Sequence, residues 1–514
     1  MKIVTAKQMQ AIDKITIEEH GIDGLTLMEN AGLGIAEAIV QYIEGELEDF
    51  KVAILCGKGN NGGDGFVVGR YLSEWGSEVI FYLLGEKSDL KGDAKTNLER
   101  AEELELAVEE VSSVDDLEID DDTDLIIDAI FGTGFHGDIR SPIDEIVDFI
   151  SELDIPIVSV DCPSGLNSST GELSSSSVSA EFTATLALPK IGQLVYPGKQ
   201  NVGHLEVIDI GIPDEVIESE DLRLNLIDAE YLTINLPFHP PDGHKGSRGK
   251  LFIIAGSEGM TGAACMTASS ATRSGIGLCY LGLPKSINDI CEIKLTETIT
   301  RPLPEVGKKR CLALRGLGEF GQYMDDADAC ALGPGIGTHH ETCELVKRLM
   351  KKINIPTVID ADGLNCFEGD VNPLIEAVFP CVITPHPGEL SRLIEIPTAE
   401  IASDRMRYAR EAAEKLGKIV LLKGAPTYIA DPDGNIYLNP TGNIGMATGG
   451  SGDVLTGIIA ALLTQGLDPL EAACCGAYLH GMAGDLARAD LGSIGMTPAD
   501  MIDFLPEAFL MFRD

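Results

Sequence analysis

Basic residues are scarce in this chain. Its 514 residues carry 38 Lys and Arg against 82 Asp and Glu, a formal net charge of −44. Without clustered Lys and Arg there is little to release counterions from a phosphate backbone, which argues against nucleic acid as a partner. The acid reads instead as a solvated surface, densest over Asp115–Asp124, where the composition is that of an exposed loop. Long apolar runs are also missing. The longest helix-like one, Val454–Leu463, is too short to cross a bilayer and reads as a core helix. The opening MKIVTAKQMQAIDK lacks the apolar stretch of a secretory leader. None of the 12 cysteines forms a C-x-x-C pair, so no zinc or disulfide framework is readable. A reducing, cytoplasmic location is the expectation. A hydrophobic content of 44% is ample for packed cores, and the length suits two to four domains.

What is present is an alternation. Val52–Leu55, Val79–Leu84, Leu125–Ile130 and Ile157–Val160 are short apolar strands. Between and around them, Leu25–Ile43, Phe66–Trp75, Lys91–Leu104 and Ile143–Leu153 have helical spacing. The pattern predicts a parallel, doubly wound sheet whose strand C-termini face one ligand crevice. It loosens after Gly211, and the Pro- and Gly-rich LPFHPPDGHKGSRG (236–249) reads as a linker or entry loop. A second alternation begins at the strand Lys250–Ala255, so the boundary falls near 211–225. The fold class is α/β, in two domains that do not look like repeats of each other.

In the first half, strands run into GKGNNGGDG (57–65), DAIFGTGFHGD (128–138), VDCPSG (160–165) and LALPKIG (186–192). The first of these satisfies G-x-G-x-x-G, and a helix starting at Phe66 would offer free N–H groups to a phosphate. A dinucleotide enzyme also wants an acid at the end of the next strand, where only Glu86 stands. Asn60, Asn61, Asp128 and Ser164 are hard-oxygen groups on neighbouring strand ends. Such a set suits K⁺ or Mg²⁺, and equally suits turn capping.

GNNGGDG, DAIFGTG and VDCPSG, in that order, resemble the YjeF N-terminal family of NAD(P)HX epimerases over residues 1–215. The resemblance implies a Rossmann-like domain that binds the hydrated nucleotide through Asn60, Asn61, Gly62, Gly63 and Asp64. Gly132, Thr133, Gly134, Phe135, His136, Gly137 and Asp138 would form the second binding loop, with Asp161 beside it. Asn61, Asp128 and Ser164 would hold K⁺, and Asp161 and Lys190 are the candidates for moving protons.

The second half carries LKGAPTYIADPDG (422–434) and GNIGMATGGSGDVLTG (442–457). Backbone N–H groups at 450–452, ahead of an apolar helix, would make an anion hole. Asp453 is placed there to take a proton from a hydroxyl as a phosphoryl group arrives, and a plain helix cap is the bland alternative. The G-x-G-D loop resembles the ribokinase-like superfamily. His386, in ITPHPGE, stands where sugar kinases of that group carry asparagine. With LGPGIG (332–337), VIDADGLN (358–365), KGAPT (423–427) and AGSEGMTGAA (255–264), this half is similar to the ADP- or ATP-dependent NAD(P)HX dehydratases over residues 225–514. By motif, Ala263, Gly337, His386 and Asp453 would face the hydrated nucleotide. Lys423, Gly424, Ala425, Pro426, Thr427 and Gly452 would contact the adenosine phosphates, with Mg²⁺ on those phosphates. Gly363 departs from the commoner DADALN and puts the local helix start in doubt.

Together the resemblances imply one ligand and two activities. The first domain would interconvert R- and S-NAD(P)HX. The second would dehydrate the S form to NAD(P)H at the expense of ADP or ATP. A homo-oligomer bound to neither nucleic acid nor membrane is the further expectation. Two other classes stay open: a small-molecule kinase with a regulatory Rossmann-like domain, and a binding scaffold.

Overall fold

The computed structural model describes residues 1–513 except 44, 46, 121 and 240. Asp121 of the acidic stretch and Pro240 of the Pro- and Gly-rich stretch therefore lie outside the described residues. The chain divides into two compact units, Lys2–Leu222 and Arg223–Asp514 with Met1.

The Lys2–Leu222 unit is built on seven strands: β1 (Lys51–Cys56), β2 (Glu78–Leu84), β3 (Ala107–Val111), β4 (Leu125–Ala129), β5 (Ile157–Val160), β6 (Phe182–Leu186) and β7 (His204–Ile208). All are parallel, in the order β3-β2-β1-β4-β5-β6-β7. The central strands read as continuous apolar runs because helices cover both faces of the sheet. The order reverses between β1 and β4, and a doubly wound sheet opens its crevice at such a point. Helices α1 (Ala6–Glu18), α2 (Gly24–Ile43) and α3 (Asn60–Glu74) pack on one face.

Helix α3 starts at Asn60, not at Phe66 as the glycines of the loop had suggested. Those glycines serve close packing rather than loop freedom. A Cβ on Gly62 would stand 1.9 Å from the Gly57 carbonyl oxygen, one on Gly63 would meet the Met28 side chain at 2.8 Å, and one on Gly65 would meet Ala129 at 2.6 Å. The helix can sit this close to β1 and β4 only where side chains are absent, so its first turn begins almost at the strand end.

The Arg223–Asp514 unit holds a ten-stranded sheet and a two-stranded ribbon. Its strands are β8 (Leu224–Leu226), β9 (Lys250–Ile254), β10 (Leu278–Pro284), β11 (Ile299–Leu303), the ribbon β12 (Glu305–Val306) and β13 (Cys311–Leu312), then β14 (Ala329–Leu332), β15 (Thr357–Ile359), β16 (Cys381–Ile383), β17 (Ile419–Leu422), β18 (Thr427–Ala430) and β19 (Ile436–Asn439). The order is β11-β10-β9-β14-β15-β16-β17-β18-β19-β8, parallel from β11 to β17 and antiparallel through β17-β18-β19. Here the order reverses between β9 and β14. The helix Ser451–Thr464 is apolar on nearly every side and is buried accordingly. It lies so close to the helix Thr261–Arg273 that a Cβ on Gly457 would stand 2.0 Å from Ser270 Oγ. Among the described residues no helix is long and apolar enough to cross a membrane.

Candidate functional site

Each unit gathers its polar residues where its strand order reverses. In Lys2–Leu222 a cavity of about 790 Å³ opens at the β1/β4 end. Asn60, Asn61 and Asp64 line it from α3, Gly132 through His136 from the loop after β4, Asp161 from the end of β5, and Lys190 from beyond β6. Gly62, Gly63, Gly137, Asp138, Asp128 and Ser164 do not line it. Glu86 is exposed on the turn after β2 and is likewise outside the lining. Lys58, Asp93 and Asp13, which the motifs did not indicate, are part of the wall.

Lys190 is fully buried, and its ammonium donates to Asp161 Oδ1 (2.6 Å), Thr185 Oγ1 (2.9 Å) and the Leu186 carbonyl (2.9 Å). Asp161 Oδ2 accepts from the Thr133 N–H (2.8 Å) and hydroxyl (2.5 Å). Burial alone would raise the Asp161 carboxyl, but the Lys190 charge and these donors hold it below the usual carboxylate value. Asp161 and Ala187, at the ends of adjacent strands, both take left-handed backbone (φ 63° and 60°). For residues with a Cβ that is backbone strain, concentrated where the loops meet the cavity. Asp64 goes the other way: burial, then the negative charges of Asp161 and Asp13, push it well above its ordinary value.

Beneath the cavity, Asp128 is fully buried with both oxygens doubly occupied. Oδ1 accepts from Ser164 Oγ (2.5 Å) and the Ile130 N–H (3.3 Å), and Oδ2 from the Ser164 N–H (2.8 Å) and Ser159 Oγ (2.9 Å). Asn61 Nδ2 is buried without a hydrogen-bond partner.

In Arg223–Asp514, five strands end in the motif loops: β9 before 255–264, β14 before 333–337, β15 before Asp360, β16 before TPHPGE and β17 before KGAPT. Asp453 sits in the first turn of Ser451–Thr464, after Gly450, which has φ +104°. The Thr267 hydroxyl bridges the Ala263 carbonyl (3.0 Å) and the Asp453 carbonyl (3.1 Å). Lys423 Nζ donates to Asp360 Oδ1 (2.8 Å) and lies 3.8 Å from Glu389, while Thr456 Oγ1 donates to Asp360 Oδ2 (2.8 Å). A Cβ on Gly452 would stand 3.3 Å from Lys423 Nζ. The Gly337 N–H donates to Asp362 (2.9 Å), and Asp362 opens a short helix at 362–365. Gly363 fits there because a Cβ would press on the Leu332 carbonyl oxygen at 2.8 Å, so the helix start survives the departure from the commoner motif. His386 caps the helix Pro387–Ile394, its Nδ1 accepting from the Gly388 N–H (3.0 Å). Arg405 donates to the carbonyls of Ala425 and Pro426 and so fixes the KGAPT turn.

Burial, then the negative charges of Asp360, Asp362 and Glu389, raise the Asp453 carboxyl to about 7 against the opposing pull of Lys423. A carboxyl poised there is suited to accept a proton at neutral pH. His480 is buried and lowered to about 4 by that burial, hence neutral, and its Nε2 lies 2.9 Å from the Ser451 carbonyl at the start of the same helix. Asp360, Glu389 and Thr456 were not singled out by motif. Asp360 and Thr456 are 96 residues apart, and only the fold joins them.

Comparison with known proteins agrees with both halves. Residues 24–192 match the family described as YjeF-related protein N-terminus, and residues 251–507 match NAD(P)H-hydrate dehydratase. The chain is 41% identical to the bifunctional NAD(P)H-hydrate repair enzyme Nnr of Moorella thermoacetica, over 98% of this chain and 96% of that one. It is 35% identical to the protein of the same name from Escherichia coli, over 95% of this chain and 90% of that one. A ribokinase-like superfamily protein from Enterococcus faecalis shares the fold of the second unit, with 24% identity, a TM-score of 0.50, and 57% of this chain and 98% of that one covered. By full-length identity and by the matches in both units, the chain belongs to the family of bifunctional NAD(P)H-hydrate repair enzymes.

Proposed function

We propose that the Lys2–Leu222 unit interconverts R- and S-NAD(P)HX, and that Arg223–Asp514 dehydrates the S epimer with ADP or ATP as phosphoryl donor. The observation that carries this reading is the Asp453 carboxyl, raised to about 7 in the first turn of a buried helix and facing the Lys423–Asp360 pair. A hydroxyl is a poor leaving group at neutral pH. Asp453 takes the proton of the C6 hydroxyl as the hydroxyl oxygen bonds to the terminal phosphorus and the P–O bond to the departing AMP or ADP breaks. The C6–O bond then breaks toward phosphate, the ring nitrogen supplies the electron pair, and loss of a proton from C5 restores NAD(P)H. The other products are phosphate and AMP or ADP. Ala263, Gly337 and His386 line the side of the hydrated nucleotide, and Lys423–Thr427 with Gly452 the side of the adenosine phosphates. Among the described residues no three His, Cys, Asp or Glu are grouped to hold a metal ion. Mg²⁺ would arrive on the nucleotide's own phosphates.

If Asp453 is the base, dehydration must rise with pH through about 7 and level off above it, since only the carboxylate accepts a proton. Lys423→Met should move that midpoint upward by removing the one positive charge that lowers it. A rate flat with pH across neutrality contradicts the assignment.

In the first unit, Asn60, Asn61, Asp64 and residues 132–136 would hold the nucleotide, with Asp161 moving a proton and the buried Lys190 beside it fixing its charge. Asn61 on the cavity wall, with Asp128 and Ser164 buried beneath it, would hold K⁺, ligation taking the place of hydrogen bonds that Asp128 now accepts. The orphaned Asn61 amide, turned by half a rotation, presents its oxygen in place of its nitrogen, and Asp128 and Ser164 add oxygens of the right hardness. The ion would supply a fixed positive charge against the buried Asp128 carboxylate and the substrate phosphates. Asp128→Ala should slow epimerisation and weaken its K⁺ dependence, and leave dehydration of pure S-NADHX unchanged. Unaltered epimerisation at every K⁺ concentration would remove the cation from this account. A homo-oligomer is also part of the reading. It is supported by Ile444 and Ile494, both strongly exposed, on loops brought together where Gly445 meets the Ser493 carbonyl.

A further inference from the structure

Helix α1 does more than cover the sheet. Its approach is fixed beside Lys190: the Val4 N–H donates to the Pro189 carbonyl (3.1 Å), and the Ile191 N–H to the Val4 carbonyl (3.1 Å). Thr5 then caps the helix, its hydroxyl accepting from the Gln8 N–H (3.2 Å). From that start, Met9, Gln10, Asp13 and Ile17 fall on one face at helical spacing, and all four line the cavity. Asp13 is thus a carboxyl aimed into the site from the wall formed by α1, while Asp161 enters from the end of β5. The motifs gave it no role.

Epimerisation needs more than one proton-handling group. C6 of the hydrated ring is a hemiaminal carbon. It can invert by opening: the hydroxyl loses its proton, the C6–N1 bond breaks, the oxygen becomes an aldehyde, and N1 takes the electron pair and a proton. Rotation about C5–C6 presents the other aldehyde face. N1 then attacks C6, gives up its proton, and the oxygen regains one. No proton, electron or water is gained or lost overall. Opening requires one group that accepts at oxygen and a second that donates at N1, and closure requires the reverse.

Resting on the epimerase reading of this unit, we propose that Asp13 is the second proton-transfer residue of the reaction, donating at N1 while Asp161 accepts at the hydroxyl, the two exchanging roles on closure. Asp161 is held ionised by Lys190 and suits the acceptor. Asp64 is pushed well above its ordinary value, first by burial and then by the charges of Asp161 and Asp13. Asp13 is raised to about 6 by burial and by Asp161, against the opposing charge of Lys190, and so can carry a proton and release it near neutrality. The other charged or titratable groups on the cavity wall are Lys58, Asp93 and His136. A donor works only while protonated, so epimerisation should fall as pH rises through about 6.

The test follows R/S interconversion of NADHX by the full chain, without ADP or ATP, by chromatography of the epimers across pH. Asp13→Asn should slow interconversion by about 10²–10⁴-fold, the usual range for a lost general acid. It should abolish the falling limb near pH 6, keep the unfolding transition of its unit, and leave dehydration of S-NADHX intact. Asp13→Glu should retain activity with the limb displaced, which carries the test if the Asn variant does not fold. An Asn variant with wild-type rate and limb overturns the assignment, as does a Glu variant whose limb is unmoved. A wild-type protein that interconverts nothing overturns the epimerase reading with it, whereas interconversion by wild type and Asn variant alike overturns this inference alone.

Discussion

Asp453→Asn should lower dehydration of S-NADHX by at least about 10²-fold, the effect typical of a lost general base, with R/S interconversion unchanged. The substitution keeps the shape of the side chain and removes its basicity. The backbone around it is held independently by the Thr267 hydroxyl on the Asp453 carbonyl and by the packing of Gly457 against Ser270. The helix start at 450–452 and the Lys423–Asp360 pair are therefore preserved. The variant also relieves a buried carboxyl of its like-charged neighbours, so the unit's stability should not fall. A variant that dehydrates at near wild-type rate would show that Asp453 only caps its helix.

The second large effect is on stability. Lys190→Met should cost the Lys2–Leu222 unit about 3–5 kcal/mol at neutral pH, the range for breaking a buried ion pair from one side. Lys190 is fully buried and makes three hydrogen bonds, so the loss strands the Asp161 carboxylate with the Thr133 donors and a long bond from the Leu186 N–H. The sign with pH discriminates. In the wild type the Asp161 value is depressed, so its contribution is present above the unfolded carboxylate value and is lost as pH falls through the folded one. Without Lys190, burial raises that value, and the variant should recover relative to wild type on acidification. Urea unfolding of both proteins at neutral and acid pH measures this. Adding Asp161→Asn to Lys190→Met should return part of the loss. Equal deficits at both pH values would mean that lost packing, not stranded charge, is responsible.

How far the sequence discloses this differs by element. The strand-ending loops were legible because each follows a short apolar run, and a parallel sheet must bring such ends to one edge. VDCPSG and LALPKIG therefore put Asp161 and Lys190 together, since β5 and β6 are neighbours. The start of α3 was misplaced because glycine reads as loop wherever its role in close packing is hidden, and that role needs Gly57, Met28 and Ala129 in three dimensions. Asp13 was invisible because a polar residue on an amphipathic helix looks like its solvent face until the cavity is known. Asp360 stood inside a quoted motif, yet its partners Lys423 and Thr456 come from distant chain, and local pattern carries no trace of the pairing.

The central claim is that one chain performs two chemistries on one hydrated nucleotide, and the direct measurement resolves the epimers. The full-length protein is given an R/S mixture of NADHX, first alone and then with ADP or ATP, and both epimers, NADH and phosphate are followed with time. The account expects interconversion without NADH in the first stage. With nucleotide it expects both epimers to disappear completely, NADH and phosphate to appear in equal amounts, and Asp453→Asn to stop the second stage alone. A stable phosphorylated product with no return of NADH, or consumption of S with R left standing, would contradict it.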